Sequence, residues 1–373
     1  MKHNWEYKRL GDICDLYQPK TIAASELVED GEYDVYGANG IIGKFTRYNH
    51  EFPEILLTCR GATCGTINIS NPKSWINGNA MVIHSKSSEL LFAYLKYAMT
   101  ALDYSNIITG AAQPQITRQS LAPTNIPLPP MEVQEQIVAE LDKINETIED
   151  CRELLRNLDA LAQSLFYDYF GDPVTNPKGF KCNKLGQQNE ISSAKRVLVQ
   201  DVVDSGIPFI RGTELALLSK QNSFDSSIFT MFITPGHYEK VKAITGVPKL
   251  NDLLIPSINP DGYVWEVNTT DPLYFKDGRV LWVHVNHDVY SSKWLKFALS
   301  KVIIEKFANL RGAVFAELTL VFLRNLDLIV PPIELQEKFA ERIEQIEEQK
   351  KDVEETIANL QTLLDSRMDY WFN

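Results

Sequence analysis

Residues 37–45, Gly-Ala-Asn-Gly-Ile-Ile-Gly-Lys-Phe, hold the glycines and the lysine that a phosphate-cradling loop needs. Such a loop requires four residues between its glycines and a magnesium-binding hydroxyl after the lysine. Here five residues separate Gly37 from Gly43, and Phe45 stands in the hydroxyl's place. A glycine-rich hairpin turn fits the spacing better. Asn-Pro-Lys-Gly at 176–179 and Asn-Pro-Asp-Gly at 259–262 begin like the signature with which adenine methyltransferases hold the target amine, but both lack its second proline and its aromatic. No strand followed by a glycine-rich cofactor loop accompanies either one. His284 and His287 lie with Asp288 in a strand-like run, where a gap of two points the histidines to opposite faces and argues against a shared metal. The five cysteines are an odd number, and the nearest pair, Cys59 and Cys64, has four residues between rather than the two of a zinc or redox knuckle. Free, reduced thiols are expected. The sequence thus offers no catalytic residue, no cofactor site and no metal site.

Charge tells where binding chemistry can lie. The chain of 373 residues carries a net charge of -12, which as a total opposes a nucleic-acid partner. By segment the charge is -1 over 1–125, -8 over 126–175, +3 over 176–328 and -6 over 329–373. Two short stretches therefore hold the acidity, and the rest is neutral to slightly basic. No run of eighteen apolar residues occurs, and the opening residues lack a secretion signal's apolar stretch, so a cytoplasmic protein without membrane contact is expected.

The two acidic stretches are copies of one another. Aligned without a gap, residues 110–171 match 312–373 at 18 of 62 positions, including Gly110/Gly312, Thr117/Thr319, Pro130/Pro332, Gln134/Gln336, Asn157/Asn359 and Phe170/Phe372. Upstream, YLKYAM at 94–99 echoes WLKFAL at 294–299, and Leu10-Gly11 echoes Leu185-Gly186 after an aromatic, Trp5 or Phe180. The order is variable, constant, variable, constant, a tandem duplication. In the first constant part Ile137, Leu141, Ile144, Ile148, Cys151, Leu155, Leu158, Ala162 and Leu165 alternate steps of four and three, which predicts a helix with a coiled-coil seam. Pro129 and Pro130 suit its start, Glu132 and Glu135 its first turn, and Gly171-Asp172-Pro173 its end. The second seam runs through Ile343, Ile346, Val353, Ile357, Leu360 and Leu364, broken once by Lys350, either a register marker or a stem lying along the seam. A single helix of about 39 residues leaves its apolar stripe wet, so the two are expected to pair with each other, or else with an external partner. The variable parts, with EILLTCR, TINIS, YVWEV and RVLWVHV broken by Gly, Pro and Asn, read as mixed α/β.

The phrases NIPLPPMEVQEQIVAEL, SLFYDYFGDPVTNPKGF, YDVYGANGIIGKF and GAAQPQITRQSL closely resemble the specificity subunit of type I restriction-modification systems, over the whole chain. The resemblance implies an α+β fold: two mixed α/β target recognition domains related by an internal repeat and joined by two long helices packed as an antiparallel coiled coil. The expected boundaries are 1–127 for the first recognition domain, 128–172 for the first conserved helical region, 173–329 for the second domain and 330–373 for the second helical region. It also implies a non-catalytic subunit that recognises a bipartite, non-palindromic target in double-stranded DNA. The partners implied are modification (methyltransferase) subunits in two copies and restriction (helicase-nuclease) subunits. Two dissimilar readers held by one scaffold should take half-sites whose centres lie about 34–36 Å apart, one helical turn. Copy two departs from the family wording, with GAVFAELT where copy one has GAAQPQIT, so Gln113 and Gln115 lack amide counterparts.

DNA-binding candidates follow from side-chain chemistry, since cations near turns meet phosphate or guanine and amides read adenine. In the first reader these are Lys44, Arg47, Arg60, Lys73, Gln113 and Gln115. In the second they are Lys195, Arg196, Arg211, Lys240, Lys242, Lys249 and Arg279. Each is equally an ordinary solvated surface residue. Tyr36 and Tyr263 are base-stacking candidates or half-buried strand aromatics. Phe166, Tyr169, Phe170, Tyr370, Trp371 and Phe372 at the helix ends either plug cores or mark an interface. Two other functions fit the pattern less fully: a coiled-coil adaptor with duplicated protein-binding domains, and a degenerate DNA methyltransferase.

Overall fold

A computed structural model describes residues 5–110, 113–221, 224–308 and 317–372. It divides into two compact units, Met1–Glu153 with Val353–Asn373, and Leu154–Asp352. Each unit thus holds one variable part, the start of the constant part that follows it, and the end of the other constant part.

The first unit opens with β1 (Glu6–Arg9) and the single turn α1 (Leu10–Ile13). Next come β2 (Cys14–Tyr17), the hairpin of β3 (Tyr33–Gly37) and β4 (Gly40–Phe45), then β5 (Ile55–Thr58), β6 (Ile67–Ile69), β7 (Trp75–Ile76) and β8 (Ala80–Ser85). One sheet has the order β2-β8-β5-β6, the other β4-β3-β7, in which β3 and β7 run parallel. Ile55, Leu56, Leu57 and Thr58 are all buried because β5 is an inner strand covered on both faces; edge strand β2 keeps the alternation of a half-wet strand. Helices α2 (Phe92–Ala101) and α3 (Arg118–Leu121) return the chain to β9 (Asn125–Leu128), which pairs antiparallel with β1 and leads into α4 (Met131–Phe170).

The second unit follows the same plan. It contains β10 (Cys182–Lys184), α5 (Leu185–Gln188), β11 (Glu190–Ser193), β12 (Val202–Val203), β13 (Ile207–Ile210), α6 (Gly212–Gln221), β14 (Phe232–Ile233) and α7 (Pro235–Thr245). Then come β15 (Leu253–Pro256), β16 (Trp265–Glu266), β17 (Tyr274–Phe275), β18 (Val280–His284), α8 (Ser292–Ala308), α9 (Leu320–Asn325), β19 (Asp327–Ile329) and α10 (Ile333–Phe372). Its sheets are β11-β18-β15-β16 and β12-β14-β13-β17, again with one parallel pair, β13 with β17, and β10 pairs with β19. Helices α6 and α7 fall where the first unit has only its hairpin.

Two repeated positions, a glutamine and a glycine, explain why the plan recurs. The amide of Gln134 is fully buried; its oxygen accepts from the Leu91 N–H at 2.9 Å and its nitrogen donates to the carbonyls of Glu89 at 2.7 Å and Pro129 at 2.9 Å. Gln336 does the same with the Ser291 N–H at 3.0 Å and the carbonyls of Val289 at 2.9 Å and Pro331 at 2.8 Å. Each glutamine ties the first turn of a long helix to the segment that opens α2 or α8. Gly11 and Gly186 admit close packing: an added Cβ would lie 3.0 Å from the Ala122 Cβ in one unit and 2.9 Å from the Arg324 Cα in the other.

The long helices begin and stop as expected. Gly171, at φ +70, ends α4, and its N–H donates to the Tyr167 carbonyl at 2.8 Å. In the first unit Ile137, Leu141 and the sheet residues form a core on which Leu364, Met368, Trp371 and Phe372 of α10 pack. Trp5 stacks on Trp371 at 5.9 Å and Tyr94 meets Phe372 at 5.5 Å. Glu140 accepts hydrogen bonds from Arg367 and, at 2.9 Å, from the Trp371 indole. In the second unit Leu158, Ala162, Phe166 and Phe170 of α4 share a core with Phe339, Ile343 and Ile346 of α10, with Leu165 against it, and Phe170 meets Trp294 at 5.8 Å. Lys350, the break in the seam, forms an ion pair with Asp159 at 2.6 Å. Ile144 and Ile148 are buried, while Leu155, Val353, Ile357, Leu360 and Leu364 are half-buried. Phe166, Phe170, Trp371 and Phe372 therefore plug cores. Phe339, which matches Ile137 by position, is fully buried in the second unit's core although the sequence reading passed over it.

Candidate nucleic-acid interface

In the second unit, several strand ends converge on one cleft of about 510 Å³. The end of β13 delivers Arg211, the end of β15 Ser257, the end of β17 Lys276, and the turn before β18 Arg279; Tyr263 forms part of the wall. An adjoining groove shares Arg211, Lys276 and Arg279 and adds Arg196. Of the sequence candidates, Arg196, Arg211 and Arg279 are brought together. Tyr263 joins them, half-buried, with the Lys220 ammonium 5.1 Å from its ring. Lys276 was missed although it directly precedes the Asp277-Gly278 turn, whose other flank supplied the candidate Arg279. Lys195 is exposed and its N–H donates to the Tyr274 hydroxyl at 2.7 Å. Lys240 and Lys242 sit on α7, the latter paired with Glu239 at 3.6 Å, and Lys249 follows that helix; none of the three lines the cleft.

Two carboxylates organise these cations. Glu214, on the first turn of α6, accepts from Arg211 along one edge of the guanidinium. Burial works against its charge, but the bonds from Arg211, Thr213 and the backbone outweigh that cost and hold its carboxyl below the usual range. Glu317 accepts from Arg279 at 3.1 Å and from the Ser257 hydroxyl at 2.8 Å. Both acids escaped the sequence reading, since a carboxylate in a site meant for an anionic partner is legible only once its arginine is seen beside it.

In the first unit the candidates fall into separate neighbourhoods. Arg60 bridges to Gln115 through the backbone, Gln115 pairs with Thr109, and the Gly61 N–H donates to the Pro114 carbonyl at 3.1 Å, so Arg60, Gln113 and Gln115 lie together. Lys44 is an exposed residue of β4 opposite Asp34, and Arg47 lies 5.6 Å from the Phe45 ring. Lys73, at φ 52, belongs to the turn where His50 bridges to Ser74. The glycine-rich stretch is the turn of the β3-β4 hairpin, as its spacing required. Tyr36 is not a stacking platform: it is 5 % exposed and its hydroxyl accepts from the Asn71 N–H at 3.0 Å.

The units can be matched atom by atom at the return strand. Ile116 donates to the Cys59 carbonyl at 3.0 Å, and Leu318 to the Ser257 carbonyl at 2.7 Å. Glu317 thus stands where Gln115 stands. Gly312 and the rest of the stretch 309–316, including the position matching Gln113, lie outside the described residues.

The motifs set aside on spacing have ordinary roles. In both Asn-Pro-x-Gly stretches the asparagine clasps the residue four places on: Asn176 donates to the Phe180 carbonyl at 2.7 Å and accepts its N–H at 2.9 Å, and Asn259 does both with Tyr263 at 2.7 Å. Each amide is used up in closing its own turn. The histidine reading needs correction. His284 ends β18, bonds Ser192 at 2.8 Å and lies 3.7 Å from the Trp282 ring centre, while His287 is in the following turn rather than on the strand. All five cysteines are free; among the described residues no acidic, His or Cys group is placed to hold a metal, and no helix is long and apolar enough to cross a membrane.

Residues 2–158 match the family profile of the type I restriction modification DNA specificity domain. The chain is 22% identical over 351 residues to a putative type I restriction enzyme specificity subunit of Haemophilus influenzae, covering 92% of this chain and 87% of that one. It is 23% identical to a type I restriction enzyme specificity subunit of Methanocaldococcus jannaschii, covering 97% and 92%. Its fold is similar to that of the type I restriction-modification S subunit from M. genitalium, with a TM-score of 0.59 at 14% identity over 99% of this chain and 96% of that one. A structure described for complex assembly and conformational transition of the type I system also gives 0.59, at 19% identity over 98% and 96%. The chain thus carries a match to the type I specificity domain in its first part and is similar along nearly its full length to specificity subunits of type I restriction-modification systems.

Proposed function

We propose that the chain recognises a bipartite, non-palindromic sequence in double-stranded DNA without catalysing a reaction itself. Residues 1–127 and 173–329 act as the two readers. Residues 128–172 and 330–373 form helices that run antiparallel, fix the unread spacer at about one helical turn between half-site centres, and dock two methyltransferase subunits and the restriction subunits. The observation that carries this is one architectural plan with different chemistry at matching places. Gln115 in one unit answers to Glu317 in the other, and the end of β3 carries Gly37 where β13 carries Arg211. Equal plans with unequal residues suit two unlike half-sites. Arg196, Arg211, Lys276 and Arg279 supply the contacts of the second reader, and Arg60, Gln113 and Gln115 those of the first.

The test exchanges residues 173–329 for the corresponding domain of a specificity subunit with a different target and maps the sites modified by the assembled complex. One half-site is expected to change while the other half-site and the spacer persist. A change in both half-sites, or DNA retention independent of sequence, would contradict the proposal.

A further inference from the structure

Arg211 is held unlike any other cation in the cleft. Its Nε donates to both oxygens of Glu214, at 3.1 and 3.2 Å, its Nη2 to Oε1 of the same carboxylate and, at 3.3 Å, to the Thr230 hydroxyl. Glu214 is 4 % exposed and also accepts from the Arg211 N–H at 3.1 Å and the Thr213 hydroxyl at 2.9 Å. A carboxylate gripped by that many donors cannot swing, so it fixes the guanidinium plane along one edge. Nη1 has no hydrogen-bond partner among the described residues, and the side chain lines the open cleft.

Glu214 closes the start of α6 by accepting the Arg211 N–H, a role that one oxygen fills without the further bonds to the guanidinium. A contact to phosphate needs charge but no fixed plane, and Lys276 and Arg279 beside it already offer charge. With one edge anchored on Glu214, the guanidinium can offer the unpartnered Nη1 together with Nη2, once Nη2 exchanges its long 3.3 Å bond to Thr230 for a base, to the O6 and N7 acceptors of guanine in the major groove. We infer that Arg211 reads one guanine in the half-site taken by residues 173–329, with Glu214 as its positioning residue. The assignment rests on the DNA-recognition reading above. Gly37 at the matching place in the first unit confines this requirement to one half-site.

The experiment uses the full chain assembled with its methyltransferase subunits and a duplex pool randomised in the second half-site, with modified molecules sequenced. Arg211→Ala is expected to relax discrimination at a single guanine by about 5- to 150-fold, the range for one bidentate pair, and to leave every other position unchanged. Arg211→Lys should not restore it, because an ammonium cannot make the paired contact. Glu214→Gln should weaken discrimination at the same position while affinity for random duplex stays constant. Because Arg211→Ala strands a buried carboxylate, the double variant Arg211→Ala/Glu214→Gln, checked for wild-type thermal unfolding, separates misfolding from lost reading. A uniform loss over all sequences, an unchanged motif, or a half-site without guanine overturns the inference while leaving the function standing. A wild-type complex that selects no sequence removes both.

Discussion

A single buried amide ties the start of each long helix to the segment that opens α2 or α8. Gln134, fully buried, satisfies one N–H and two carbonyls, and Gln336 repeats the arrangement. Gln134→Ala should lower stability by about 1–3 kcal/mol, read as a shift in denaturation midpoint, because it strands those groups. Gln134→Glu should do no better at neutral pH, since a carboxylate has no donor for the carbonyls. A second residue-scale prediction concerns acid. The hydrogen bonds from Arg367 hold the Glu140 carboxyl below the usual range, with the Trp371 indole adding to them. A group depressed on folding contributes stability that is complete above the ordinary carboxylate pKa and disappears as pH falls through its folded value. Glu140→Gln should therefore be less stable than wild type at pH 7 and approach it at about pH 3; partial exposure of the pair keeps the difference modest. The repeat made Gln134 and Gln336 visible in the sequence but not their role, because an amide four places after two prolines looks like a solvated helix residue until its partners from 89–91 and 289–291 are folded beside it.

At the scale of elements, the long helices were the most legible part. Ile137, Leu141, Ile144 and Ile148, at steps of four and three, are buried, whereas Leu155, Val353, Ile357, Leu360 and Leu364 are half-buried, and a glycine stops α4. Leu141→Ala should cost about 2–5 kcal/mol, as for other fully buried leucines, measured by chemical denaturation. The short strands were harder to see. YVWEV yields only the two-residue β16, and RVLWVHV ends at His284, because tertiary pairing rather than local pattern sets where a strand stops. Periodicity also could not show that Phe339 is buried in the core, since a phenylalanine one turn into a helix carries no sign of what covers it. If the helices set the spacer, inserting one helical turn into both α4 and α10 should change the number of unread base pairs in the modified motif and leave both half-sites as they were.

For the whole molecule, net charge misleads and distribution informs. A chain at -12 joins a cationic cleft in the second unit to acidic helices, and only segmental counting separates the two. The duplication explains how two units share one plan: identity persists where the helices and their ties must be built, and fails at the strand ends, where Gly37 answers to Arg211 and Gln115 to Glu317. What the sequence withheld was which cations converge, for Arg196, Arg211, Lys276 and Arg279 lie up to 83 residues apart and meet only through sheet topology. The most direct test of the account is to map, base by base, the sites methylated when this chain is assembled with its modification subunits. The account predicts one split, asymmetric motif with two half-sites and a spacer of constant length. A continuous motif, a palindrome, or half-sites at variable separation would contradict it.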